Sequence, residues 1–389
     1  MSQKFTVELE GTTGFVLDTD RLNTGQLGYL SVDITEYVRS ISIKRGRSIS
    51  QDKFTAGQAT LTLDNRSRIF DPQNASSPLF GAIVPRRKVN IYMEHRRTIM
   101  GVPQATPRLM FIGVIDDWSF SYDISGDSIA TVSCSDGFNV LANQIITLTS
   151  PTAELSSSRI TRVLNNSQVG WTEGFVSNGA AITCNNASYT GDALSYLQQI
   201  ALSERGYLFI GTYGEIQFLG WNYFASPVEY QRFSDGSDGK SGMPFTNIEV
   251  IYGADQLYNY VTAVSPAGTV VSQNTLSQQA YGISAVDYQL LTSGTAQMQL
   301  MADVMTSNYA EPRYLVSSLT VSGDDPYFDA TNNGLLTEIG NYASVFFTPN
   351  LVGSSISTSG YIIGVDISAT PSSSQFTYSF SGVETRSVI

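Results

Sequence analysis

FTAGQATLTLDNRSRIFDP, residues 54–72, opens as a clean alternating strand, stops at Asp64-Asn65, and gives way to a charged turn closed by Asp71-Pro72. Asp64, Asn65 and Asp71 admit two readings. They are the residue types of a metal or carboxylate site, and they are also the types that end a strand and aim the chain at a neighbour. The second needs less: Asp64 and Asn65 can end the strand through side-chain hydrogen bonds to the turn, Phe70 can anchor the loop, and Pro72 blocks continuation.

Outward from this stretch the first 145 residues are strand after strand. FTVELE (5–10), YVRSISIKRG (37–46), KVNIYMEH (88–95), RLMFIGVIDDWSFSY (108–122) and SIATVSCSDGF (128–138) show period-two alternation or short β-rich runs bounded by turn residues. So many short strands suggest a closed or nearly closed antiparallel sheet, since closure removes exposed edges. The polar TSPTAELSSS (149–158) reads as a boundary or helix start. A helix follows in YTGDALSYLQQIALSERG (189–206), with Thr190 as its cap, Ala193, Leu194, Leu197, Ile200 and Ala201 on one face, and Gly206 at its C-terminal end. YLFIGTYGEIQFLGW (207–221) then reads as two strands turning at Gly211 to Gly214, and FSDGSDGKSGMP (233–244) as a loose linker.

Strands resume from about 245, with a hairpin at Pro266-Ala267-Gly268. A second helix is expected in SGTAQMQLMADVMTSNY (293–309), capped by Ser293, stopped by Pro312, with Ala296, Leu300, Met301, Val304 and Met305 as its apolar stripe. YLVSSLTVSG, YASVFFTPN, SGYIIGVDISATP and QFTYSFSGVET close the chain as strands. Three parts are expected: 1–145, a middle α+β module at 146–240, and 241–389.

Only 14% of the 389 residues are charged while 11% are aromatic, which fits short strands and surface covered by partner chains. The net charge of −12 is unevenly spread: up to Arg108 there are 15 Lys/Arg against 10 Asp/Glu, and beyond it 7 against 24. The basic clusters KRGR (44–47) and PRRK (85–88) are not interleaved with aromatics as a nucleic-acid platform would be, so a basic face meeting an acidic neighbour is the plainer reading. Cys134 and Cys184 read as buried thiols, since two cysteines make no disulfide framework. No signal peptide opens the chain and no apolar run approaches the roughly 20 residues needed to span a bilayer, so a soluble product of a cytoplasm is expected.

Chemistry is sparse. The single histidine, His95, leaves no HExxH or three-His zinc site, and no G-x-S-x-G elbow accompanies it; it reads as a surface residue of a basic loop. Asp116 and Asp117 are neighbours in a strand, hence on opposite faces unless a bulge intervenes. DGSDG (235–239) and GDD (323–325) lack the remaining ligands of a calcium loop, and no G-x-G-x-x-G or Walker pattern appears. A two-carboxylate glycosidase would leave no spacing signature among 34 acidic residues. No catalytic, cofactor-binding or metal-binding residue is therefore assigned, and no cofactor is expected.

One set of phrases is specific. A G-x-A-T-x-T-L-D-N strand (Gly57 to Asn65) leads to an R-x-F-D-P turn (Arg68 to Pro72) and a small-Pro-aromatic loop (Ser77 to Phe80). A basic Pro-x-R-x-V strand (Pro85 to Val89) and an F-x-G-x-I strand (Phe111 to Ile115) follow. This resembles the first tube domain of phage tail hub proteins, the minor tail proteins of long-tailed phages related to the baseplate hub of contractile tails. DALSYLQQIALSERGYLFIGTYGEIQF is similar to their middle module, and the stretch from NYVTAVSPAGTVVSQ to SNYAEPRYLVSSLTV to their second tube domain.

The resemblance implies a mainly β chain with an α+β insert, two tube-type β-barrel domains flanking a helix-plus-hairpin module. It implies a homotrimer forming a pseudo-sixfold ring at the distal end of the virion tail, assembled in the host cytoplasm. Such a ring joins the hexameric tail tube or distal tail protein to the threefold tip, spike or fibre. It also encloses the channel for tape measure protein and DNA, the DNA passing without sequence-specific binding. From bulk charge, the acidic later parts would make that channel repulsive to phosphates. Two rival readings are a tail-associated cell-wall hydrolase, and a glycan-binding adhesin using Trp118, Trp171 or Trp221, although packing explains tryptophans more simply.

Overall fold

The computed structural model describes residues 4–11, 31–49, 53–99, 102–169, 173–177, 182–254, 256–330 and 334–382. The chain is mainly β. Its organising element is one 13-stranded sheet that draws strands from both ends of the sequence. On one side lie Val38–Gly46, Thr55–Asp64, Ser128–Ser135, Val102–Tyr122, Lys88–Ile99 and Phe5–Glu10, paired antiparallel in that order. On the other side Val38–Gly46 pairs with Ile356–Thr370, which leads to Ser373–Phe380, Arg313–Ser322 and the end strand Asn247–Gly253.

The seam between the two halves is in register from Gly364 opposite Gly46 to Ala369 opposite Ile41. Gly46 is required there: at φ +96° it sits in the left-handed region, and a Cβ would lie 2.2 Å from the Ile363 carbonyl oxygen. Alternation then sorts the faces. Ile41, Ile43, Ala59, Leu61, Leu63 and Val132 are buried on one side, and they belong to the same core as Val365, Ile367, Phe376 and Tyr378. Both strand-rich regions therefore share a sheet and a core.

The middle segment packs on this core. Helix Ala193–Glu204 buries Ala193, Leu197, Ile200 and Ala201, with Leu194 packed at the margin, as its 3.6-residue spacing requires. Its cap is Asp192, whose Oδ1 accepts from the Ser195 N–H (2.7 Å); Thr190 lies in the short strand Tyr189–Asp192 instead. The left-handed residue at its far end is Arg205 (φ +53°), not Gly206. Gly206 serves close approach, since a Cβ there would stand 2.5 Å from the Leu219 carbonyl oxygen. Strands Tyr207–Ile210 and Ile216–Leu219 form the expected hairpin, turning through Gly214 at φ +80°.

Helix Thr295–Tyr309 differs more. Gly294 precedes it without a side-chain cap, so Ser293 does not cap it, and Ala296 is exposed. The helix has two working faces. Met298, Met301, Ala302 and Met305 pack on Val261 and Ala263 of strand Tyr260–Ser265, while Leu300 and Val304 reach Trp221 and Ile182. A single stripe cannot describe a helix held between two neighbours. Short helices Gly137–Ala142 and Thr275–Tyr281 were not signalled by periodicity, being too brief to show it. The 233–244 stretch is tied down: Phe233 is buried in strand Glu229–Ser234, which pairs parallel with Tyr342–Phe347, Arg232 pairs with Asp238, and Met243 folds back onto Phe233.

Candidate assembly interface

Asn65 ends the Thr55–Asp64 strand three ways. Its N–H donates to the Ser128 carbonyl (2.9 Å), its own carbonyl accepts from the Arg68 N–H (2.8 Å), and its Oδ1 accepts from the Phe70 N–H (3.0 Å). The loop then advances in three-residue steps, Asn74 N–H to Asp71 O (3.0 Å), Ser77 N–H to Asn74 O (2.9 Å) and Phe80 N–H to Ser77 O (3.0 Å). Phe70 is fully buried, edge-on to Tyr37 at 5.4 Å and stacked against Trp118 at 6.0 Å. Anchored at Phe70, the loop delivers Phe80 to the surface, where it is 52% exposed.

The carboxylates of the turn are engaged by arginines. Asp64 pairs with Arg66 and lies 3.3 Å from Arg39, which also holds Asp127 through both guanidinium nitrogens (2.5 and 3.0 Å). The Arg66 hydrogen bonds, with Arg39 beside them, hold the Asp64 carboxyl at about 2. Arg68 binds Asp71 Oδ2 (3.0 and 2.5 Å) and lowers its pKa, while Asp71 Oδ1 accepts from the Gln73 N–H (2.9 Å). These groups are committed to shaping the turn. Among the described residues no group of three His, Cys, Asp or Glu side chains is placed to hold a metal.

The remaining sequence candidates disperse. A register irregularity does fall between Ile115 and Asp117, but the two carboxylates serve different partners. Asp116 Oδ1 accepts from Ser135 Oγ (3.0 Å) and Asn139 Nδ2 (3.1 Å), whereas Asp117 Oδ1 accepts from the Trp118 N–H (2.9 Å). His95 lies in strand Lys88–Ile99, its side chain outside the described residues, as is Trp171 entirely. Trp118 stacks between Phe70 and Phe120, and Trp221 is 2% exposed, so neither offers a sugar platform. Cys134 and Cys184 are free and buried, and burial pushes both thiols up to about 12.

Three buried polar residues, Asp136, Arg159 and Glu204, were not singled out by the sequence. Asp136 caps the Gly137–Ala142 helix, accepting from the Phe138 N–H (3.0 Å), and its other oxygen accepts from the Gly57 N–H (2.7 Å). A Cβ at residue 57 would stand 2.6 Å from that oxygen, which explains the glycine at the head of the phrase. Burial pushes the Asp136 carboxyl up to about 6. Arg159, fully buried, donates to Glu154 Oε1 (2.6 Å), Tyr196 OH (2.6 Å) and the carbonyls of Thr152 (2.8 Å) and Asn185 (2.9 Å). Glu204, equally buried, accepts from Ser156 Oγ (2.8 Å) and the Trp221 N–H (3.1 Å). An arginine or glutamate on the core-facing side of a helix was the only available hint.

Arg47 lies over Phe54 (5.4 Å) and Tyr207 (5.6 Å), and Gln256 Nε2 donates to the Ile49 carbonyl (2.6 Å). A hollow of about 50 Å³ lies beside Arg47, Phe54 and Tyr207, and a larger one of about 260 Å³ lies against Gln256, Tyr309 and Arg313. No helix of the described residues is long and apolar enough to cross a membrane.

No family model matches the chain, and no curated protein matches it. Solved structures do. The 43 kDa tail protein of prophage MuSo2 from Shewanella oneidensis aligns over 98% of this chain and 97% of its own at 12% identity, with a TM-score of 0.58. The tail protein from Neisseria meningitidis MC58 aligns over 99% and 98% at 9% identity, TM-score 0.59. Prophage tail protein gp18 from Listeria monocytogenes EGD-e aligns over 96% and 94% at 9% identity, TM-score 0.50. From end to end, the chain has the fold of phage tail proteins.

Proposed function

We propose that the protein is a structural component of a phage virion, the hub at the distal end of the tail, without catalytic activity. Three copies form a pseudo-sixfold ring in which each contributes two tube-type barrel domains, at 1–145 and 241–389, flanking the 146–240 module. The ring joins the hexameric tail tube or distal tail protein to a threefold tip, spike or fibre, and encloses the channel for tape measure protein and DNA. The observation that carries this reading is the shared sheet: both strand-rich regions meet at the 41–46 and 364–369 seam, in a fold that matches tail proteins over nearly the whole chain. The arginine-bound turn with its exposed Phe80 supports a contact role rather than chemistry.

Light scattering on the purified chain, followed by negative-stain imaging, tests the proposal. A trimer with a central hole is expected. A monomer that solubilises cell walls would favour the hydrolase reading and overturn this one.

A further inference from the structure

The shared sheet carries one strand order twice. Val38–Gly46, Thr55–Asp64, Ser128–Ser135 and Val102–Tyr122 lie side by side in that order, and Asn247–Gly253, Arg313–Ser322, Ser373–Phe380 and Ile356–Thr370 repeat it. In both sets the last strand also forms a hairpin with the strand before it in sequence, Lys88–Ile99 in one and Tyr342–Phe347 in the other. The two hairpins bury matching residues: Val89, Ile91 and Met93 in the first, Ala343, Val345 and Phe347 in the second.

Beyond these residues the hairpins part. The second ends its pairing at Phe347 opposite Ile356. The first runs on for six more pairs, from Glu94 opposite Pro107 to Ile99 opposite Val102. At the usual rise per residue this is a projecting arm of about 20 Å. The outer edges differ as well. Glu229–Ser234 lies along the second hairpin as far as Phe346, whereas Phe5–Glu10 covers the first only to Met93, with the Lys4 carbonyl accepting from the Glu94 N–H (2.9 Å). Among the described residues no strand lies beside the arm. A two-stranded ribbon alone is marginal in water, so the arm needs cover.

Prolines decide which edge can take it. Proline has no N–H, so Glu94 and Pro107 are not a pair that exchanges backbone hydrogen bonds, in agreement with the outward Glu94 N–H. The two kinds of pair alternate, and hence Arg96–Ala105 and Thr98–Pro103 also turn their backbone groups outward. Along 102–107 two of the three outward positions are proline, which closes that edge to strand addition. On the other side Arg96 and Thr98 each keep an N–H and a carbonyl. This open edge is also basic: His95, Arg96 and Arg97 follow Glu94, while 102–107 carries no charge.

Resting on the hub reading above, we propose that the open edge of the arm receives an extended stretch of a second copy, drawn from the acidic part beyond Arg108, so that each arm clasps the next subunit. The charge split of the chain supplies the complement, with 7 Lys/Arg against 24 Asp/Glu beyond Arg108. Backbone hydrogen bonds hold the added strand, and the arginines select it. The shorter, covered hairpin of the other half has no such role, so each copy offers one clasp.

Light scattering over a dilution series of the full chain reads the contact. Thr98→Pro, alone and with Arg96→Pro, removes outward N–H groups and spares the arm's own ladder; Ala105→Pro does the same on the closed edge and is the control. The double variant should need roughly tenfold more protein for half assembly, while Ala105→Pro assembles as the native chain does. Arg97→Glu, which leaves the edge intact and reverses one charge, should also weaken assembly, most clearly at low salt. A double variant that assembles like the native chain, or a control that fails with it, overturns the edge assignment and leaves the hub reading standing. Assembly indifferent to Arg97→Glu overturns the choice of an acidic partner. A native chain that never forms a ring, even with tail-tube protein added, overturns both readings.

Discussion

Arg68 and Arg159 each bind a carboxylate, and they sit in opposite surroundings. Arg68 grips Asp71 at the surface with its side chain 59% exposed, whereas Arg159 grips Glu154 with 1% exposed. At the surface water competes for both partners, so the pair fixes the path of a loop and adds little else. In the interior each guanidinium hydrogen needs an acceptor, and Arg159 gathers them from four separate residues. The same bond thus shapes one region and locks the other. The turn presents a surface, and the buried arginine ties helix Ala193–Glu204 to the backbone at Thr152 and Asn185.

The sharpest way to break this comparison is Arg159→Met. It strands the Tyr196 hydroxyl and two carbonyls, and is expected to cost about 3–5 kcal/mol, read as a lower denaturant midpoint. A cost no greater than that of Arg68→Ala would erase the distinction. Asn65→Ala should come next, at about 1–3 kcal/mol, because the buried Phe70 N–H loses its acceptor. If Phe70 is the loop's true anchor, that variant should also lose assembly in a sizing experiment.

A smaller contrast depends on pH. The Asp136 carboxyl, raised by burial from 3.8 to about 6, contributes stability that is whole below pH 3.8 and lost as pH rises through 6. The Asp64 carboxyl, lowered to about 2, contributes stability that is present above 3.8 and lost as pH falls through 2. Melting curves should therefore show the native chain gaining from Asp136 as pH falls from 7 toward 5, and Asp136→Asn should abolish that gain. The smallest effect belongs to Asp64→Ala, at most about 1 kcal/mol near neutral pH, visible mainly in assembly. A loss of some hydrolytic activity with assembly intact would contradict the reading of the turn.

The strands and the turn were legible because each is specified within a few residues. FTAGQATLTLDN alternates, and Asn65 and Pro72 terminate by local chemistry. Helix starts were read slightly early: Thr190 and Ser293 are plausible caps, but Asp192 and the geometry of Gly294 decide, and those depend on how the preceding strand arrives. The seam between Val38–Gly46 and Ile356–Thr370 was not legible at all. Pairing between segments so far apart leaves no local periodicity, and neither strand's alternation names its neighbour. Arg159 escaped for a related reason, since its acceptors come from elements whose meeting only the fold decides.

That seam also sets a clock. During synthesis the Val38–Gly46 strand emerges first, and Ile356–Thr370, the strand that covers its open edge, follows only after the whole stretch between them. At ordinary translation speeds the delay is on the order of tens of seconds. Throughout it the growing chain carries an unfinished edge, so interrupted synthesis yields fragments prone to stick to one another. Until Ile356–Thr370 pairs with Val38–Gly46 the shared sheet stays open at its middle, so the order of translation sets when its two halves can join.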